Sequence, residues 1–107
     1  MSIIERVSRY WHAFVNGSFP NRTPSLHINT MRGNVDAVRT LLHEGADVNE
    51  EHEGMTPCVL AVYWGRTDIL KLLVSNGGNR DHPQMEDARK WAKLREFHET
   101  LKELDAN

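Results

Sequence analysis

The sequence is poor in the features that mark secreted, membrane-spanning or nucleic-acid-binding proteins. Its 107 residues include a single cysteine, Cys58, so no disulfide can form within the chain. No apolar run reaches the ~18 residues that a membrane helix needs. Glu5, Arg6 and Arg9 interrupt the N-terminal apolar pattern, which argues against a signal peptide. The net charge of −2 gives no reason to expect nucleic acid as a partner. These absences favour a cytoplasmic protein in a reducing compartment.

Patterns that support catalysis or metal binding are also missing. No two histidines have the i, i+4 spacing of a zinc-binding helix, and the sequence shows no glycine-rich phosphate loop and no plausible Ser-His-Asp arrangement. Cys58 lies in an apolar segment, which favours inert packing over a reactive thiol. We therefore predict a non-enzyme that binds no metal, no cofactor and no small-molecule substrate. The histidines, which we interpret as solvated or locally hydrogen-bonded, are His12, His27, His43, His52, His82 and His98.

What the sequence does contain is an internal repeat. The segment that begins at Gly33 recurs in altered form from Gly65, and a period near ~33 residues is typical of stacked arrays. In each copy apolar residues fall on one helix face, and a glycine follows where a helix can end in the left-handed conformation. Such a unit must stack on neighbours and leaves one extended surface free for a partner. The residues concerned are Val38, Leu41, Leu42 and Gly45 in the first copy and Ile69, Leu70, Leu73, Val74 and Gly77 in the second.

A shorter helix precedes each of these apolar helices. In the second copy Thr56 can cap it through its hydroxyl, and Pro57 suits its first position. Residues 54–61 read Gly-Met-Thr-Pro-Cys-Val-Leu-Ala. With Gly65 and Gly77, they resemble the ankyrin repeat pattern G-x-T-P-L-H-x-A-x-x-x-G followed by L-L-x-x-G-A-D-x-N. The first copy adds Leu26-His27 and a full Gly-Ala-Asp-Val-Asn at 45–49. The resemblance covers residues 23–82.

The resemblance implies an all-α ankyrin-repeat solenoid that forms one domain over residues 1–107. We assign residues 1–22 to an N-terminal capping helix and connector, 23–54 to repeat 1, 55–82 to repeat 2, and 83–107 to a degenerate C-terminal cap. The N-terminal helix is expected to pack on the first repeat, and a helix lying on a membrane surface is the alternative. The C-terminal segment is expected to be a helical hairpin. One continuous helix over 86–104 is the alternative, because Glu96 replaces the glycine expected between two helices.

The sequence departs from the family pattern at several positions. Asn29 and Thr30 replace small apolar residues, so tight packing inside the first repeat is less expected. Val59 replaces the family's histidine, so the polar link that this histidine implies is available only from His27. Asn49 is expected to tighten its loop through side-chain hydrogen bonds to the backbone. The segment around Asn49 also resembles the ankyrin site that asparaginyl hydroxylases modify.

The resemblance implies a non-catalytic protein-binding module whose concave face takes a partner protein, as a small inhibitor, an immunity-type protein or an adaptor. A structural role, in which the chain self-associates through its repeat ends, is the alternative. We predict Tyr63 and Trp64 as the energetic centre of the interface, because two large aromatic residues at one exposed site favour partner binding. The acidic loop, which contains Glu50, Glu51 and Glu53, is expected to face positive charge on the partner. The partner-binding residues that the resemblance implies are Met31, Arg32, His52, Glu53, Met55, Tyr63, Trp64, Leu94 and Arg95.

Overall fold

The structure, a computed structural model, describes residues 3–17 and 23–106, with side chains from Ser8 onward in the first of these segments. The described residues form seven α-helices and no strand, as the all-α prediction requires. A single isolated β-bridge, between His52 and Met55, lies in a loop. The helices are α1 (Ile3–Asn16), α2 (Ser25–Arg32), α3 (Val35–His43), α4 (Pro57–Tyr63), α5 (Thr67–Ser75), α6 (Met85–Leu94) and α7 (His98–Asp105).

Six of the helices form three hairpins, which stack side by side. The first helices of the hairpins, α2, α4 and α6, pack in a row, and the second helices, α3, α5 and α7, pack in a second row. Helix α4 lies between two neighbours in its row, and all seven of its residues are buried. Each hairpin therefore completes its core only by contact with the next one, as the repeat pattern predicts.

Local chemistry fixes where the helices begin. The Thr56 hydroxyl accepts a hydrogen bond from the Val59 N–H at 3.3 Å, and Pro57 occupies the first turn of α4. The Asn34 side chain caps α3 in the same way, by accepting from the Ala37 N–H at 3.1 Å. Thr30 is fully buried and its hydroxyl donates to the Leu26 carbonyl at 2.7 Å. The polar residue in the first repeat is thus satisfied within its own helix.

The C-terminal segment is a hairpin, and the alternative of one continuous helix over 86–104 is wrong. Helix α6 ends at Leu94, and Glu96 adopts φ 59°, the left-handed conformation that Gly65 adopts at φ 64° in the preceding hairpin. The Phe97 ring then lies over Gly65, where a β-carbon would meet it at 3.0 Å. The third hairpin therefore has the geometry of the second although its turn lacks glycine.

Helix α1 contacts the first repeat at His52, through Tyr10, but its principal helical neighbour is α6. It therefore lies against the row of first helices as well as on the first repeat. The physical reason is its apolar face: Tyr10 is 4% exposed and Phe14 packs against the same core. This face is occupied by the protein itself, which leaves the membrane-surface alternative without support. None of the helices in the described part of the chain has the length and apolar character needed to cross a membrane.

Candidate functional site

The concave side of the molecule is formed by the first helices and by a short loop, the finger, over residues 52–55. In the finger, the His52 N–H donates to the Met55 carbonyl at 2.9 Å, and the Met55 N–H donates to the His52 carbonyl at 3.0 Å. The two residues between them, Glu53 and Gly54, have φ values of 51° and 79°. Two positive φ values at adjacent central residues are typical of a tight hairpin turn of type I′. The finger is therefore a rigid two-residue turn.

His27 anchors the finger to α2. Its Nε2 donates to the Met55 carbonyl at 2.8 Å, and the ring is fully buried. Burial lowers the pKa of His27 to about 4, with the neighbouring His52 acting in the same direction and hydrogen bonds to the backbone opposing it. The imidazole is therefore neutral at pH 7. The expectation that His27 supplies the family's polar link is confirmed by this contact.

His52 connects the finger to α1. The Tyr10 hydroxyl lies 2.9 Å from His52 Nδ1, and the rings of Tyr10 and His27 each meet the His52 ring edge to face, with centroid distances of 6.0 and 5.8 Å. Burial raises the pKa of Tyr10, and the charge of Glu53 adds to this effect. The Tyr10 phenol therefore stays protonated. His52 is 7% exposed because α1 covers it.

An open groove of about 650 Å³ lies beside α1 at the end of the first helices. The Trp11 and Trp64 rings are 6.1 Å apart at its wall. Trp91 Nε1 donates to the Tyr63 carbonyl at 3.0 Å, which holds the indole across two hairpins. The Arg95 guanidinium lies 5.7 Å from the centroid of the Trp91 ring. We call this surface the aromatic groove; its lining residues are Ser8, Trp11, Tyr63, Trp64, Trp91, Arg95 and Phe97.

The structure divides the predicted partner-binding residues into two groups. Arg32, Glu53, Leu94 and Arg95 are exposed, Leu94 by 69%, and Trp64 is half-buried. The buried group is Met31, His52, Met55 and Tyr63.

The expectation of an exposed Tyr63–Trp64 pair is wrong for Tyr63, whose side chain is only 2% exposed. Its ring belongs to the core of α4, and only Trp64 reaches the groove with an accessible face. Met31 and Met55 are likewise core residues, since their helix and loop lie under their neighbours. The residues that sequence reasoning missed are Trp11, Trp91 and Phe97. Their apolar spacing was visible, but it indicated only helix faces and not the groove between them.

The loops that connect the hairpins are held by hydrogen bonds, so much of their polarity is internal. The Asn49 side chain donates to the Gly77 carbonyl at 3.1 Å and accepts from the Asn79 N–H at 2.7 Å. The expected side-chain hydrogen bonds of Asn49 to the backbone are therefore present, but they tie its loop to the loop that follows α5 instead of tightening its own loop. Glu51 lies 2.7 Å from His82 Nε2. One carboxylate of the acidic loop therefore already has a partner within the chain, whereas Glu53 is an exposed residue of the finger.

The described residues show neither a metal-binding cluster nor an exposed thiol. Groups of three or more histidine, cysteine or acidic side chains that could hold a metal are absent from residues 3–17 and 23–106. Cys58 is fully buried, and burial raises the pKa of its thiol to about 12, although Arg80 acts in the opposite direction. The thiol is therefore protonated at neutral pH and packs as an apolar group.

The fold and the finger geometry agree with the comparison to known families. A family model described as ankyrin repeats in three copies matches residues 9–84. The chain belongs to the ankyrin repeat family.

Known proteins are similar to this chain over part of its length. The chain is 33% identical to the mouse protein phosphatase 1 regulatory subunit 27 over 82 residues, which are 73% of this chain and 53% of that protein. It is 32% identical to the mouse protein phosphatase 1 regulatory subunit 12A over 49% of this chain and 5% of that protein. The ankyrin repeat-containing protein P1E11.10 of fission yeast is 40% identical over 53% of this chain and 28% of its own length. The chain thus spans about half or less of these relatives.

Proposed function

We propose that this chain is a non-catalytic protein-interaction module that binds a partner protein on its concave side, as a small inhibitor, an immunity-type protein or an adaptor. The observation that carries the proposal is the aromatic groove, where three tryptophans and one arginine surround an open volume of about 650 Å³. Tryptophan and arginine are the residue types most enriched at the energetic centres of protein interfaces. Membership in the ankyrin repeat family supports a protein as the partner.

The accessible contact residues of this proposal are Trp64 and Arg95, which line the groove, together with the exposed residues Leu94, Glu53 and Arg32. Arg95 brings positive charge beside an indole face, so a partner with an acidic or aromatic side chain fits this end. Glu53 lies on the finger and fits a basic residue. Charges at the rim of an interface chiefly affect the association rate, whereas the groove would supply most of the binding energy.

Protein phosphatase 1 is the first partner to test, because two of the similar proteins are named as its regulatory subunits. The ankyrin repeats of this chain, over residues 9–84, would supply the binding scaffold. We also propose a cytoplasmic location, since the one cysteine is a buried thiol that suits a reducing compartment.

The test compares capture of partner proteins by the wild-type chain and by two arginine variants. Arg95→Ala removes the cation at the aromatic groove, and Arg39→Ala removes an exposed arginine on the outer helix α3. We expect the wild type and Arg39→Ala to retain purified protein phosphatase 1, or another protein identified by mass spectrometry, and Arg95→Ala to lose it. Equal retention by both variants would place the interface elsewhere.

Trp64→Ala is expected to weaken binding of that partner by at least about 2 kcal/mol, the scale of an interface hot spot. Because Trp64 packs on Trp11 and Tyr63, this variant is also expected to melt at a lower temperature than the wild type. The variants Arg95→Ala and Arg39→Ala therefore separate the effect on binding from the effect on stability. Trp64→Ala measures how much binding free energy the groove contributes. The rival structural role, self-association through repeat ends, predicts a concentration-dependent mass in light scattering that Arg95→Ala leaves unchanged.

A further inference from the structure

Helix α1 lies on the surface that the proposed function assigns to a partner. It packs against α6, its Tyr10 hydroxyl bonds to His52 of the finger, and its Trp11 ring meets Trp64 at the end of α4. These contacts reach two of the first helices and the finger. They also account for the burial of His52, which would otherwise present an imidazole on the concave side.

The side chains that dock α1 form a compact pattern. Tyr10 and Phe14 are spaced i, i+4 on one face, and Trp11 lies next to them at the groove. The Tyr10 phenol is buried and its hydroxyl contacts His52 Nδ1, whereas the Trp11 indole lies against the Trp64 indole. The chain itself therefore shows which ligand this surface accepts: an amphipathic helix with an aromatic hydroxyl over the finger and a second aromatic ring against Trp64.

Helix α1 is buried less completely than α4, the central helix of its row. Every residue of α4 is buried, but Trp11 remains 42% exposed and Val15 60% exposed. Tyr10 is the only residue between Ser8 and Gly17 that is fully in the core. Segments with few buried contacts open locally at lower free energy than a core helix does.

We infer that α1 is an internal ligand of the concave face, and that the partner protein binds by presenting an amphipathic helix with aromatic anchors that takes the place of α1. The inference rests on the proposed function for the existence of a partner, but it adds the kind of partner and the step that precedes its binding. Release of α1 removes Trp11 from the aromatic groove, and an aromatic ring of the partner then takes its place against Trp64. Affinity for the partner is then reduced by the fraction of molecules in which α1 stays docked.

The experiment uses a peptide probe and needs no partner. A fluorescent synthetic peptide with the sequence of residues 3–17 is titrated into the full chain, either wild type or with Tyr10→Ala. The change lies in α1 and leaves α4, α6 and the finger unaltered, so it vacates the surface without damaging it. We expect the peptide to bind the Tyr10→Ala chain at least about tenfold more tightly than the wild type, because the competitor within the chain is weakened.

Two controls keep the result interpretable. Val15→Ala changes an exposed residue of the same helix and is expected to bind the peptide as weakly as the wild type does. A peptide in which Tyr10 is replaced by alanine is expected to lose its affinity for the Tyr10→Ala chain. Circular dichroism checks that the variant is folded, and Tyr10→Phe, which keeps the ring and removes only the hydroxyl, should give a smaller gain in the same direction.

Hydrogen exchange of the wild-type chain provides an independent measurement. We expect the amides of α1 to exchange at least about tenfold faster than those of α4. Equal protection of the two helices, or equal peptide affinity for the wild type and Tyr10→Ala, would overturn the inference. Loss of partner capture with Arg95→Ala together with a failed peptide test would leave the proposed function standing and remove only the role of α1.

Discussion

The second and third hairpins of this protein have the same shape but are built from different residues. In the second, Gly65 lies between α4 and α5 with φ 64°, a conformation that glycine adopts without strain. In the third, Glu96 lies between α6 and α7 with φ 59°. An L-residue with a side chain is disfavoured there by roughly 1–2 kcal/mol. The third hairpin thus keeps the turn of its neighbour at a conformational cost.

Contacts with the second hairpin explain why the third accepts this cost. Phe97 follows Glu96 and lies over Gly65, while the Thr67 and Thr100 hydroxyls meet at 2.7 Å between α5 and α7. Trp91 donates to the Tyr63 carbonyl between α4 and α6. A straight helix through Glu96 would lose these contacts along one whole row. The comparison teaches that stacking on a well-formed repeat imposes the turn, and that the local residue preference is the weaker term.

The largest expected effect tests whether the second hairpin is the more tightly packed one. Leu70 of α5 is fully buried, and Leu101, at the equivalent position of α7, is only partly buried. Leu70→Ala should lower the free energy of unfolding by about 2–5 kcal/mol and Leu101→Ala by about 2 kcal/mol or less. Urea unfolding with a shared slope measures both. Equal losses would show that the third hairpin is packed as densely as the second.

A pH effect extends the comparison to the first hairpin, where His27 has the position that Val59 has in the second. The pKa of His27 is lowered to about 4 in the folded state, against about 6.5 for an unperturbed histidine. Between these pH values the unfolded chain takes up a proton that the folded chain excludes, so stability falls as the pH falls. The expected loss is about 3 kcal/mol between pH 6.5 and pH 4.

Variants separate His27 from the other acid-sensitive groups. His27→Gln should have a lower stability at pH 7 but a smaller further loss on acidification than the wild type. The exposed His98, changed to glutamine, should leave the wild-type pH dependence intact. Chemical denaturation at pH 7 and pH 4.5 measures the free energy of unfolding of each variant. An unchanged acid loss in His27→Gln would mean that carboxylates, and not this histidine, dominate it.

The fold could be predicted from the sequence because ankyrin repeats encode it locally. The Thr56-Pro57 start, the apolar face of α5 and the glycine turns each carry a physical signal within a few residues. The polar link of His27 was also predictable, because the family pattern places it in a fixed register, whereas the partners of Asn49 in the next loop were not. The C-terminal hairpin was predictable only as one of two options, since Glu96 gives no turn signal and the contacts that decide it are made with the preceding hairpin.

The candidate site was harder to predict for a related reason. Helical periodicity shows that Tyr63, Trp64 and Trp11 face some apolar surface, but it cannot tell whether that surface is core or groove. Tyr63 was assigned to the surface because its neighbour in sequence is a tryptophan, yet the two side chains point to different environments. The docking of α1 against α6 joins residues far apart in the chain, and no local pattern specifies it.

The smallest expected effect sharpens the comparison between the two turns. Glu96→Gly removes the strain of a left-handed glutamate and should raise the free energy of unfolding by about 1 kcal/mol, the cost of that conformation less the entropy that glycine adds to the unfolded chain. Glu96→Ala removes the same charge without relieving the backbone, so it should leave stability nearly unchanged. Thermal and urea unfolding of the two variants, side by side, give the difference.

The reciprocal substitution, Gly65→Ala, tests the turn of the second hairpin. Gly65→Ala introduces a β-carbon at φ 64° that would meet the Phe97 ring at 3.0 Å, so it should destabilise the chain by at least about 1–2 kcal/mol. If stacking imposes the turn, Glu96→Gly raises the free energy of unfolding and Gly65→Ala lowers it. The free energy of unfolding of Glu96→Ala then lies between those of the other two variants. If instead Glu96→Gly lowers stability, the glutamate side chain must make a contribution at this turn that outweighs its backbone strain, and the third hairpin would not be a strained copy of the second.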